Sequence, residues 1–144
     1  MYDALMKPSA HFGWFLATCL LFSDNSTAQH MNAADAPCRG PASNAEGTRC
    51  FIDASHTADK KLNQVYARVG EVLDPDEQKE LQAAQRLWLK FRDANCAAER
   101  NLYGGGTAVS MVYAACIKAD TRQRTAELKM MYGWRVEKFG KSFE

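Results

Sequence analysis

The sequence predicts an all-α fold, a three-helix antiparallel bundle built around a hairpin and stapled by disulfides. Three observations carry that expectation. Apolar residues recur at helix spacing in three successive stretches. Two strong breaks, DPDE at residues 74–77 and GGG at 104–106, separate those stretches. Four cysteines remain once an export segment is set aside. No strand pattern, internal repeat or low-complexity tract appears in the sequence.

Residues 1–28 have the pattern of a signal peptide. Phe12 to Phe22 is an uncharged apolar run of the length such segments use, Lys7 precedes it, and Ser26-Thr27-Ala28 supplies small residues for cleavage. Met6-Lys7 makes a more typical start than Met1, because Asp3 spoils a positive leading region. Cys19, in LATC, is similar to a lipoprotein cleavage box, but Thr18 suits such a box poorly and apolar sequence runs on beyond it. Simple export, to the periplasm or as a secreted protein, is therefore favoured over lipid anchoring. No apolar run reaches the roughly 18 residues of a membrane span.

Residues 29–46, rich in Ala, Pro, Asn, Ser and Gly, predict an irregular lead-in. The helical domain is expected over residues 47–132. Its first helix, spanning about Ala45 to Leu73, carries Ala54, Ala58, Leu62, Val65, Tyr66, Val69 and Leu73 at helix spacing. Asp74 then suits an N-cap, Pro75 the first helical position, and Glu77 the third position of a capping box. The second helix is expected to place Leu81, Ala84, Trp88, Phe91 and Asn95 inward, widened by Leu87, Ala94 and Ala98. It should end near Leu102, with Gly104 just past its last turn. The third helix is expected from about Thr107 to Met131, with Val109, Val112, Tyr113, Cys116, Ile117 and Leu128 inward. Residues 133–144 are short and mixed and predict a tail or frayed turn.

The 144 residues suffice for one domain with a single modest core. Removing residues 1–28 leaves 17 basic and 15 acidic side chains, too even a balance for a nucleic-acid binder. With no C-x-x-C anywhere, the usual zinc, haem and thioredoxin-like patterns lose their support, and neither a metal nor a cofactor is expected.

Cys38, Cys50, Cys96 and Cys116 allow three pairings. In a hairpin turning at Gly105, Cys96 lies nine residues before the turn and Cys116 eleven after it. At about 1.5 Å per residue they stand within about 3 Å of the same height, so they can bond across the seam. Cys38 and Cys50 then pair by default. Cys96 is most simply a staple, since no histidine lies near it in sequence and an exported chain meets an oxidising compartment. The triple glycine follows a helix and lacks the lysine of a phosphate loop, so it is a turn. Arg92 and Asp93 point about 100° apart and are not expected to pair with each other. Asp59, Asn63, Thr121 and Arg124 are the polar residues best placed to receive them in a structural network between helices.

Taken in order, CFIDASHTADKKLNQVY, LQAAQRLWLKFRDANC, YGGG, one more cysteine and TRQRTAEL resemble the LprI-like lysozyme-inhibitor domain family, small exported bacterial helical domains. Asp59, Leu62, Asn63 and Tyr66 match its D-x-x-L-N-x-x-Y. Gln85, Trp88, Arg92, Asp93 and Cys96 match Q-x-x-W-x-x-x-R-D-x-x-C, and Thr121, Arg124 and Leu128 match T-x-x-R-x-x-x-L. The match spans about Cys38 to Leu128. The resemblance implies an exported protein that binds lysozyme and sterically blocks its cleft.

Two surfaces are candidates for that contact. One is the hairpin tip, Tyr103, Gly104, Gly105, Gly106 and Thr107, with Tyr103 as a rigid aromatic anchor. The other is the acidic turn holding Asp76 and Glu77, which with Glu71 and Glu80 forms the one dense acidic cluster; a basic lysozyme would favour such a patch. The alternative is a non-inhibitory envelope module that binds peptidoglycan or another exported protein. An enzyme is not expected. Glycosidase chemistry needs two carboxylates across a cleft, which a thin bundle does not offer, and only His30 and His56 of the mature chain are ready bases at neutral pH. The sequence leaves the oligomeric state open.

Overall fold

The computed structural model describes residues 30–33 and 35–143; the expected signal peptide and Cys19 lie outside the described residues. After a single 3-10 turn at His30–Asn32 come three long helices, α1 (Asn44–Gly70), α2 (Pro75–Asn101) and α3 (Val109–Lys138). There is no strand among the described residues. The all-α, three-helix, disulfide-stapled fold expected from the sequence is what the chain adopts.

Local chemistry sets each boundary. Ser43 caps α1 by accepting from the Glu46 amide at 3.1 Å. Asp74 opens α2 with the expected capping box. Its carboxylate accepts from the amides of Asp76 and Glu77 at 3.0 and 2.9 Å, and Glu77 accepts from the Asp74 amide at 3.0 Å. Between α2 and α3 the chain reverses through Gly104 and Gly105, both with positive φ.

The third helix does not stop at Gly133. Leu128, Tyr132 and Val136 continue the inward row, with Leu128 and Val136 fully buried, and the helix closes in a Schellman turn at Gly140. There Lys141 donates to the Val136 carbonyl and Gly140 to the Glu137 carbonyl. Residues 133–138, expected as tail, are thus the last turns of α3. They tie down the α1–α2 connection: Arg135 donates to the Val72 carbonyl at 3.2 Å and to Glu77 at 2.8 Å.

Helix α3 is the centre on which the other two pack. It runs parallel to α1 at a constant register. Asn44 meets Thr107 and Val72 meets Arg135 at a separation of 63 residues, and Asp59 meets Thr121 at 62. A steady offset over the whole helix keeps one apolar stripe of each against the other, so Phe51, Leu62, Val65, Val69, Val112 and Leu128 are all buried.

Helix α2 lies differently from the expected phase. Its only buried residues are Leu81 and Cys96, with Trp88 and Arg92 partly covered beside them. Phe91 and Leu87, expected inward, are 63% and 67% exposed, and Ala84, Ala94, Asn95 and Ala98 are exposed as well. The apolar arc of α2 is wider than the face it buries, and the disulfide at Cys96 decides which part turns inward.

The lead-in is more ordered than its composition predicts. Ala36 and Cys38 are buried against Phe51, Met111 and Ala115. It touches every helix: Cys38 is bonded to Cys50 on α1, His30 pairs with Glu99 on α2 at 2.7 Å, and Asp35 accepts from Arg122 on α3.

Candidate functional site

Three parts of the molecule bring the candidate residues together. The first is a polar knot at mid-height. Arg92 Nη1 donates to Asp59 Oδ1 at 3.0 Å and to Thr121 Oγ1 at 3.1 Å, and Thr121 in turn donates to Asp59 Oδ1 at 3.3 Å. One guanidinium thereby joins all three helices. Its Nε and Nη2 both donate to Asp93 Oδ1, at 3.1 and 3.0 Å, so the neighbours do pair, against expectation. The 100° between them separates the Cβ directions only; the long arginine arm curls back far enough to close the gap.

Arg92 also lies over the Trp88 ring, 5.3 Å from its centroid, and Arg124 does the same at 5.9 Å. Arg124 otherwise stays outside the Arg92 knot, donating to Gln85 Oε1 at 3.2 Å and to Glu127 at 3.3 Å. Asn63 stays outside as well. Its side chain is exposed and hydrogen-bonds to nothing among the described residues.

The second part is the hairpin tip. Cys96 and Cys116 are bonded with their Cα atoms 5.5 Å apart, one short rise behind the turn. Beyond them the loop is braced from outside, because Asn44 Nδ2 donates to Thr107 Oγ1 at 2.7 Å. Tyr103 folds back rather than out. Its hydroxyl is buried without a hydrogen-bond partner among the described residues, and burial, helped by the Glu99 carboxylate, raises its pKa. The residue that projects is Leu102, 82% exposed at the end of α2. Sequence reasoning missed it. The available signal was its phase, four residues on from Ala98 and in line with Leu87 and Phe91 on the outward arc.

The third part is the acidic turn, and most of its charges are already met. Asp74 serves the helix cap, Glu77 pairs with Arg135, and Asp76 with Lys79 at 2.9 Å. Glu71 is claimed by Lys141 and Arg68; the hydrogen bond from Lys141 is the main cause of its lowered pKa. A cluster that is dense in sequence is largely neutralised in space, with Glu80 the member left without a partner among the described residues.

None of the three offers a site for a cation. His30, Glu99 and Cys116 place ligand atoms within 4.8 Å of one another, as do Cys96, Cys116 and Asp120, but both sulfurs are spent in the disulfide. No helix among the described residues is long and apolar enough to cross a membrane.

The family model described as Lysozyme inhibitor LprI matches residues 38–128, from the first cysteine of the lead-in to the leucine at the heart of the α1–α3 seam. The chain belongs to the LprI family. Among curated proteins it is similar to "Uncharacterized protein R02472" of Rhizobium meliloti (strain 1021), 33% identical over 81 residues. That match covers 56% of this chain, and the chain spans about half, 55%, of the length of that relative. No solved structure matches. Both disulfides, all of α1 and α2 and most of α3 fall within the matched span.

Proposed function

We propose that this LprI domain is an exported lysozyme inhibitor, periplasmic or secreted, that blocks the lysozyme cleft with its α2–α3 tip. The family name supplies the target class. Two disulfides in so small a chain favour an oxidising compartment. The observation that carries the interface is the setting of Leu102: a large apolar side chain almost wholly in water, on a turn braced by the disulfide behind it and by Asn44 beside it. Exposure of that kind on a rigid tip loses little ordering entropy on binding. Gly104 to Thr107 complete the contact as a narrow wedge. Asp76 and Glu77 are the weaker candidates because their carboxylates already have cations. The domain acts by occlusion and turns over no substrate.

The test follows cell-wall lysis by animal, goose-like and invertebrate lysozymes as the oxidised domain is added. At least one type is expected to be inhibited, with Leu102→Ala weakening inhibition by about tenfold or more, the effect of a binding hot spot. Asp76→Lys, at the opposite end of α2, should leave it unchanged. No inhibition of any type at large excess would remove the function. Full inhibition by Leu102→Ala would remove the interface and keep the function.

A further inference from the structure

Helices α1 and α2 each pack on α3 and little on each other, and the space between them is a long open groove with two lobes of about 390 and 370 Å³. Tyr66 and Gln82 border both lobes, so the two adjoin. On α2 the groove runs from Pro75 to Arg92, about 25 Å at the helical rise. We propose that this groove is a second binding site, independent of the tip, for a linear glycan bearing N-acetyl groups, gripped by Asn63, Gln82 and Gln85 around the ring of Tyr66.

Several features of the lining favour that ligand. Asn63 and Gln82 are exposed and hydrogen-bond to nothing among the described residues, so each holds a free donor and a free acceptor on the groove wall. Gln85 Oε1 accepts from Arg124, which fixes the orientation of the amide and leaves its NH₂ as a donor. Paired donors and acceptors on neutral amides suit hydroxyls and acetamido groups. Of the cations on the lining, Arg92 is met by Asp59 and Asp93 and Lys79 by Asp76, which leaves the exposed Arg86 as a further donor at the rim.

Apolar and polar surface share the lining. Leu62 and Leu81 are buried at the floor, with Pro75 at one end and Leu89 at the rim, and they can receive an acetamido methyl. Tyr66, half-buried midway along, offers an aromatic ring of the kind that sugar faces stack on. An extended peptide is less well served. The walls are helices, whose backbone groups are internally bonded, so there is no sheet edge to pair with a peptide backbone. The lobes are also open rather than closed around side chains.

The probe is a soluble β-1,4-linked hexamer of N-acetylglucosamine, added to the oxidised protein and followed by amide chemical shifts, with the glucose hexamer as the arm lacking acetamido groups. Saturable binding is expected, with shifts confined to the facing sides of α1 and α2 and the glucose hexamer binding more weakly. Asn63→Ala and Gln82→Ala are both on exposed positions and should each weaken binding by roughly 3- to 10-fold with unchanged thermal unfolding. Leu102→Ala should leave it untouched. No saturation at several millimolar would overturn the assignment. So would binding indifferent to the Asn63→Ala/Gln82→Ala double variant, or a neutral Gly-Ser peptide binding the groove as tightly as the glycan. Because no lysozyme is present, none of these outcomes depends on inhibition.

Discussion

Between α1 and α3 lies a seam in which Phe51, Leu62, Val65, Val69 and Leu128 are all buried, whereas α2, at 27 residues as long as α1, buries only Leu81 and Cys96. The first pair is held as most helices are, by a continuous apolar stripe at constant register. Helix α2 is held at points: one disulfide, the Arg92 knot, the Trp88 ring against two guanidinium groups, and the Glu77–Arg135 pair. Fastening at points leaves α2 free along its sides. That freedom is what opens the groove toward α1 and carries Leu102 out at the tip, so the weakly buried helix is also the one with surface to offer.

The largest effect should come from removing the fastening at the tip. Replacing Cys96 and Cys116 by alanine opens a bridge of sequence separation 20, and the chain-entropy account puts its contribution at about 3.3 kcal/mol. Cys38 and Cys50, separated by 12, come to about 2.8 kcal/mol on the same account. The sharper distinction is where protection is lost. Amide exchange in the Cys96→Ala/Cys116→Ala protein should speed up along α2 while α1 and α3 stay protected. The Cys38→Ala/Cys50→Ala protein should leave α2 slow. Uniform loss of protection in the first variant would mean that α2 is as well buried as the seam, and the comparison would fail.

Next comes the knot. Arg92→Met keeps the aliphatic stem against Trp88 but removes the donors that reach Asp59 and Thr121, and should cost about 2 kcal/mol in urea unfolding. Asp93 is 55% exposed, so Asp93→Asn should cost no more than about 0.5 kcal/mol. Equal costs would place the fastening in the surface pair rather than in the link between helices.

The seam was the more legible of the two regions, for the same physical reason. Along α1 Ala58, Leu62, Val65 and Val69, all expected inward, are buried and Ala54, Tyr66 and Leu73 half-buried, so period gives most of the packing, although it passed over Phe51. On α2 the apolar arc exceeds the buried one. Period then misplaces Leu87 and Phe91, while cysteine spacing finds the true inward phase. The knot was legible in its members Asp59, Arg92 and Thr121, but not in the Arg92–Asp93 contact, which depends on how a flexible side chain bends. The last turns of α3 were hidden because Gly133 reads as a stop, although of these two glycines it is Gly140 that takes positive φ. Leu102 and the groove were hidden because the exposure of a side chain, and the gap between two helices, are set by tertiary packing.

The smallest expected effect tests the lead-in, which fastens to the bundle at points as α2 does. Asp35 accepts a hydrogen bond from Arg122, which with the nearby Lys118 charge holds its pKa below the ordinary aspartate value; burial opposes this only weakly. A carboxylate whose pKa falls on folding contributes stability above its unfolded pKa, about 3.9, and loses it as pH drops through the folded value. The wild type should therefore exceed Asp35→Asn in stability at pH 7, by less than about 1 kcal/mol because Asp35 is largely exposed. The gap should narrow steadily below pH 4. Lys118 gives the comparison a second handle: its ammonium is nearly buried, burial lowers its pKa, and Asp35 partly offsets that. With Asp35 gone the offset goes too, so the Asn variant should recover part of its deficit at alkaline pH, where Lys118 can discharge. A gap between the two proteins that stays constant from pH 3 to pH 10 would show that Asp35 holds the lead-in by shape rather than charge.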